Sequence, residues 1–359
     1  MKMASKKAHD GSDGPGMQAN AKSEDEIDEI KEWKLSNLTE DEETQLPLSL
    51  VCEIRDMSPV SKVKFSENEE LLAFGGNATL RVYSFEQGKM VLDMKFNKKD
   101  DEDETNFVRS LEWCCGDELI IVGLEEGTIK VINVNNGEIK NELNEGNSEI
   151  FDIKTTKDKK LMGLTNGENV YVYECLNFEK ILSYENKNEI ALINSICFDD
   201  DGKKLAIGLS SGYILIWDID NNKIVCQMKC HLHGIYSILF IKDSKELVTA
   251  SLDNTIKIWE IEVNEDGVIN LILHSTISDH KDFVLAMTTD SNYNWLISGS
   301  KDTTIKFYSL TENKTMFNLS AHTNSVLSLD YAKTKNIFCS GSGDNSLMIW
   351  KISTEKDKE

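Results

Sequence analysis

The three residue types of a hydrolytic triad recur in this chain at fixed spacing. His231, His280 and His322 are each followed after 18 positions by a hydroxyl (Thr249, Ser298, Ser340) and after 22 by an aspartate (Asp253, Asp302, Asp344). Beyond the aspartates stand Trp259, Tyr308 and Trp350, at one common offset. A serine hydrolase needs such a set once per site, with the histidine taking the hydroxyl proton and the aspartate orienting the histidine. Three copies at identical offsets are what a hydrogen-bond network built into a repeated unit would give, each bond adding about 1 kcal/mol net and costing more when half of it is deleted. No nucleophile elbow, phosphate-binding loop, paired-carboxylate signature or HExxH accompanies the set. The chain is therefore read as a non-enzyme, with these residues in a structural role.

Metal chemistry has one candidate group, Cys226, Cys230, His231 and His233. Two thiols four apart on a strand share a face, but the spacing matches no common zinc pattern, and His231 already belongs to the repeated set. The group is read as structural, and no metal or cofactor is expected. The eight cysteines are spread along the chain and read as reduced thiols and small core residues.

The elements that position these residues repeat. Third strands read LRVY at 80–83, IKVI at 129–132, VYVY at 170–173, ILIW at 214–217, IKIW at 256–259, IKFY at 305–308 and LMIW at 347–350. Their ends are 49, 41, 44, 42, 49 and 42 positions apart, the period of a four-stranded propeller blade. A matching first strand opens each copy, from VSKVKF at 60 to VLSLDY at 326, and an apolar outer strand such as KIVCQMK at 223–229 follows the third. The last copy has no outer strand of its own, while LSLVCEI at 48–54 has no other assignment. The fold class is therefore all-β, a seven-bladed β-propeller over 48–352, closed by that N-terminal strand in the seventh blade so that no edge stays open.

The strand ends, the histidine and aspartate positions and the period resemble the WD-repeat family, most specifically in blades 5 to 7. Blades 1 to 4 carry Asn77, Glu126, Gly167 and Ser211 in place of the aspartate. The segments HKDFVLAMTT at 280–289, ISGSKDTTIKF at 297–307 and CSGSGDNSLMIW at 339–350 resemble the propeller of the fungal Tup-type general corepressors, relatives of the Groucho corepressors. That resemblance implies a transcriptional corepressor subunit, a nuclear scaffold docking on DNA-bound repressors and chromatin proteins. The alternative is a WD-repeat subunit of another complex, of histone-modifying, translation-initiation or G-protein β type. Residues 1–47 lack the heptads of the coiled coil by which that family oligomerises.

A propeller of this kind recognises partners with loops and strand starts around one mouth of its channel. In the WD-repeat family the narrower mouth carries the first-strand starts and the turns before the third strands. The candidate partner-binding residues are thus Phe107, Arg109, Phe151, Leu192, Tyr236, Phe283, Leu285 and Leu327, with Leu252 and Lys301 from the tight turns. Large apolar side chains at equivalent positions would form the core of an interface.

The balance of 39 Lys+Arg against 62 Asp+Glu, a net charge of -23, argues against direct binding of nucleic acid or an anionic membrane and favours basic protein partners such as histone tails. The acidic run KKDDEDET at 98–105 is read as a solvated insertion that could guide such a segment. No apolar run is long enough to span a membrane and the start has no signal-peptide core, so the nucleus or cytoplasm is expected. Residues 1–47 read as an acidic disordered tail, within which Ile27, Ile30 and Leu35 are the residues able to form a short amphipathic helix, and 353–359 as a charged C-terminal tail.

Overall fold

The structure, a computed structural model, describes residues 33–38, 46–96, 106–146, 148–186 and 191–353. Every helix or strand among them is a strand, and the strands form seven antiparallel sheets. In the first sheet Lys62–Phe65, Leu71–Gly76, Thr79–Ser84 and Lys89–Lys95 are ordered as in the chain. The next five sheets begin at Val108–Cys114, Asp152–Thr155, Ile193–Phe198, Ile235–Ile241 and Val284–Thr289. Each first strand touches those of both neighbouring sheets, and the seventh, Val326–Ala332, touches the first. The sheets are the blades of a closed seven-bladed β-propeller.

The strands form because their apolar residues alternate. On Thr79–Ser84, Leu80 and Val82 point inward and are fully buried, and they pack against Val108, Leu111 and Trp113 of the following blade. The core is thus a set of slabs between neighbouring sheets, each fully buried large side chain contributing roughly 1.5–3 kcal/mol. Trp113, Trp217 and Trp350 are among the largest side chains wholly enclosed there.

The seventh blade is closed by Leu48–Arg55, which pairs antiparallel with Ser346–Ile352 from Leu48 opposite Ile352 to Arg55 opposite Ser346. The seam with blade 1 carries further bonds. Val63 N donates to Ser328 Oγ at 3.1 Å, Thr334 N donates to Glu69 Oε1 at 2.9 Å, and Arg81 pairs with Asp56 just after the closing strand.

The structure corrects the N-terminal boundary. Within the stretch read as a disordered tail, Lys34–Asn37 forms a fifth strand on blade 6, paired with Lys314–Ser320. Leu35 therefore lies on a strand rather than a helix, and Ile27 and Ile30 lie outside the described residues. Trp33 meets Trp350 edge-on at 5.5 Å between ring centroids, and Leu46 is buried in the same cluster. An aromatic contact of this kind is worth about 0.5–1.5 kcal/mol beyond its area, enough to help hold a four-residue strand whose own pattern is weak. The run 98–105 and the tail 354–359 lie outside the described residues.

Candidate functional site

The repeated His and Asp residues meet above the third strands of blades 5, 6 and 7. In blade 5, His231 Nδ1 lies 3.0 Å from Asp253 Oδ2 and His231 Nε2 lies 2.8 Å from Thr249 Oγ1, which also accepts from Trp259 Nε1 at 2.9 Å. An indole can only donate. The one arrangement that satisfies all groups runs from indole N–H to hydroxyl oxygen, from hydroxyl hydrogen to His231 Nε2, and from His231 Nδ1–H to the carboxylate. The same chain joins Trp350, Ser340, His322 and Asp344, at 3.1, 2.8 and 3.1 Å. In blade 6, His280 bonds Asp302 at 2.9 Å and Ser298 at 2.9 Å.

Tyr308 corrects the grouping made from sequence. It is buried, but among the described residues no hydrogen bond joins it to Ser298, because a phenol carries its hydroxyl at the ring tip whereas indole Nε1 lies on the ring's flank. Blade 6 therefore has the His–Ser–Asp part without an aromatic donor.

Each aspartate also holds its loop. Asp253 accepts the backbone N–H groups of Leu232 and Thr255 at 3.0 Å each, and Asp302 those of Lys281 at 2.8 Å and Thr304 at 3.0 Å. Burial alone would push these carboxyls up, but hydrogen bonds from the histidine, the neighbouring hydroxyl and the backbone hold Asp253, Asp302 and Asp344 well below the usual carboxylate range. A nucleophilic hydroxyl must reach a substrate carbon. Thr249, Ser298 and Ser340 are 0%, 3% and 0% exposed.

Blades 1, 2 and 4 use single side-chain-to-backbone bonds at the same level. Asn77 Oδ1 accepts from Asn106 N at 3.0 Å, Asn106 Oδ1 from Glu126 N at 3.3 Å, and Ser210 Oγ from Leu192 N at 2.8 Å. Of the candidate metal ligands, Cys226 and Cys230 sit in the apolar slab with Ile214 and Ile235, their thiols pushed up to about 11 and about 12 by burial. His231 has both ring nitrogens bonded to protein, and His233 is exposed on the loop.

The mouth is shaped by a repeated irregularity. Pairing of the first and second strands skips one residue at Arg109, Asn194, Tyr236, Leu285 and Leu327. A bulged residue is released from the ladder and re-aimed. Tyr236, Leu285 and Leu327 thereby line the central channel, whose volume is about 480 Å³, and Tyr236 stays 40% exposed.

The other candidates stand on the rim, outside the channel lining, so the ten residues divide into two groups rather than forming one ring. Arg109 pairs with Glu149 and, at 2.7 Å, with Glu125, and its guanidinium lies 5.8 Å from the Phe107 ring centroid. Lys301 Nζ lies 4.7 Å from the Phe283 centroid and 3.7 Å from Asp282. Phe151 and Leu192 both lie over Gly167, Leu192 being 46% exposed, and Leu252 N donates to Gly234 O at 2.9 Å.

The sequence analysis missed the charges inside the channel. Lys62, Lys64, Glu112, Asp152, Lys154 and Asp330 line it from blades 1, 2, 3 and 7. The available signal was a charged residue within a first strand that otherwise reads as apolar.

The profile of the family described as nucleolar protein 10-like, N-terminal domain, matches residues 107–292, about half of the chain, and that of the WD domain, G-beta repeat, matches residues 313–351. The chain belongs to the nucleolar protein 10-like N-terminal β-propeller family. This propeller is a WD-repeat scaffold of the protein-interaction type. It is 26% identical over 215 residues to WD repeat-containing protein 1 of Gallus gallus, covering 56% of this chain and 33% of that protein. It is 27% identical over 157 residues to Transcription factor unc-37 of Caenorhabditis elegans, covering 44% and 24% respectively. With Pre-mRNA-processing factor 17 of Homo sapiens it shares 25% over 166 residues, 44% of the propeller chain and 27% of the other. The aligned part thus spans about a third or less of each of these relatives.

Proposed function

We propose that the propeller is a non-enzymatic subunit of a nuclear assembly and that its mouth docks DNA-bound repressors and chromatin proteins, a corepressor role. The observation that carries this reading is the group of large side chains re-aimed by bulges toward the mouth, Tyr236, Leu285 and Leu327, on strands pinned from behind by the buried His–Asp networks. Rigid strands lower the ordering cost of binding, and clustered aromatic and aliphatic anchors concentrate its energy. The likeness of blades 6 and 7 to the Tup-type propellers and the similarity to unc-37 favour transcription as the setting. Basic segments such as histone tails suit the net charge of -23.

A second reading makes the same scaffold part of a nucleolar or RNA-processing particle. It is favoured by the family match across residues 107–292 and by the similarity to Pre-mRNA-processing factor 17. Tethering the full chain to a reporter promoter through a heterologous DNA-binding domain separates the two. The corepressor reading expects transcription to fall, and to recover when Tyr236 and Leu285 are changed to serine. Unchanged transcription, with the chain co-sedimenting with ribosomal precursors or splicing particles, transfers the proposal to the second reading.

A further inference from the structure

The channel wall has two halves of different chemistry. Two residues below the mouth, the first strands of blades 1 and 3 carry Lys62 and Asp152, where the register of the other five blades places serine or alanine. One step deeper are Lys64, Glu112, Lys154 and Asp330 on blades 1, 2, 3 and 7, facing Cys197, Leu239 and Thr288 on blades 4, 5 and 6. At these two levels charged side chains therefore cover one contiguous side, and neutral ones the other.

The other lysines on that side have carboxylate partners. Lys64 Nζ lies 3.3 Å from Asp330 and 3.8 Å from Glu112, Lys159 Nζ lies 3.4 Å from Glu112, and Lys154 Nζ lies 3.1 Å from Asp152. Among the described residues the Lys62 ammonium has no carboxylate partner and no hydrogen bond. Burial pushes its ammonium down, with Asp152 acting against that shift and Lys154 and Arg109 adding to it. Across the channel, Asn194 is 7% exposed and its Nδ2 donates to no group among the described residues. A half-buried cation without a carboxylate partner and a buried donor without an acceptor, both on the wall of one cavity, are groups that a ligand entering it would pair.

We propose that the channel is a carboxylate-binding site in which Lys62 receives the acidic side chain of an extended protein segment entering at the mouth. The deduction rests on the protein-scaffold reading and specifies the chemistry of what docks there. One unpartnered ammonium fits one carboxylate, whereas a doubly charged phosphate would face Glu112, Asp152 and Asp330 with that single cation. Tyr236 and Leu285 on the neutral side and Leu327 on blade 7 offer apolar contact to the residues flanking the acid, and Asn194 Nδ2 offers a bond to a carbonyl of the segment. A volume of about 480 Å³ holds a few side chains rather than a folded element. The chain's overall negative charge does not forbid this, since charges beyond about 8 Å are screened at physiological salt.

Random short peptides displayed on phage are panned against the full chain, its Lys62→Met variant and its Lys62→Arg variant, and the best wild-type binder is remade with its acidic residue changed to the amide. The proposal expects one fixed acidic position to be enriched on wild type and Lys62→Arg but not on Lys62→Met. The amide peptide should lose about tenfold in affinity for wild type and be unaffected on Lys62→Met. Should Lys62→Met melt early, acylation of Lys62 by an amine-reactive reagent in the wild-type chain gives the answer, being slowed by the acidic peptide and not by its amide. Equal enrichment on all three proteins, absence of any acidic position, or no protection of Lys62 overturns the proposal. If succinate protects Lys62 as well as the peptide does, the site takes free carboxylates and the segment is wrong. Repression by the tethered chain is scored separately, so it can survive while this site fails.

Discussion

Phe65 N donates to Asp330 Oδ2 at 2.8 Å, joining two residues 265 apart in sequence across the seam where blade 7 meets blade 1. The bond lies one step along the strand from that between Val63 N and Ser328 Oγ. Ring closure thus depends on side chains of blade 7 reaching backbone donors of blade 1, as well as on the strand Leu48–Arg55.

Truncations grade that closure. The chain lacking residues 1–32 is the reference. Deleting 1–40 removes the fifth strand of blade 6 and the Trp33–Trp350 contact and should cost about 1–2 kcal/mol. Deleting 1–56 uncovers Ser346–Ile352 and strips Arg81 of Asp56, and aggregation should follow. Light scattering and calorimetry on the three truncations check the order, and equal behaviour of the last two would contradict the closing role.

The fold was legible because its signals repeat. Seven third strands at one period outweigh weak patterns in any single copy, and a blade with a missing strand next to an orphan strand is simple arithmetic. Lys34–Asn37 was not legible, since KLSN has one strong apolar residue and its partner strand is nearly 280 residues away. The channel charges were missed for a different reason. Alternation shows that Lys62 and Lys64 share a face, but only closure of the ring turns that face into a cavity wall. The division of the candidate residues into channel and rim was not legible either, because strand patterns do not announce bulges, and the bulged Arg109 stands outside the channel lining while the bulged Tyr236, Leu285 and Leu327 lie within it.

The aspartate networks carry a pH signature. Because Asp253, Asp302 and Asp344 bind protons less readily folded than unfolded, their stabilisation is complete above the unfolded carboxyl range near pH 4 and is lost as pH falls below it. Asp302→Ala should destabilise by about 1–3 kcal/mol at neutral pH, with a shallower loss of stability from pH 5 to pH 2 than wild type. Parallel acid titrations monitored by tryptophan fluorescence test this, and identical slopes would show that the carboxylate is not held as described.

One turn position adopts left-handed backbone in several blades. It holds Gly212 with φ of 80° in blade 4, Asn254 with 67° in blade 5 and Thr303 with 72° in blade 6. A β-branched residue is strained there, so Thr303→Asn should stabilise by about 1 kcal/mol. Gly212→Ala should be strongly destabilising, because the added methyl would come within 2.3 Å of His231 O. Melting temperatures of the two variants, expected to move in opposite directions, decide the matter.

Tyr236 separates binding from folding. Its side chain is 40% exposed, so Tyr236→Ser should shift the midpoint little while weakening partner binding by about 2 kcal/mol, roughly thirtyfold. An early melt would instead place the ring in blade packing.

The claim that partners are held at this mouth is tested most directly by site-specific photo-crosslinking. A benzophenone amino acid is placed at Tyr236 and, in a separate chain, at Ile272, which is 44% exposed on the outer strand Ile269–Ile277 of the same blade. In nuclear extract the chain labelled at Tyr236 should capture a discrete protein set, reduced by excess unlabelled wild type, whereas the chain labelled at Ile272 should capture little. Competed crosslinks confined to Ile272 would contradict the account and move the interaction surface to the outside of the blade.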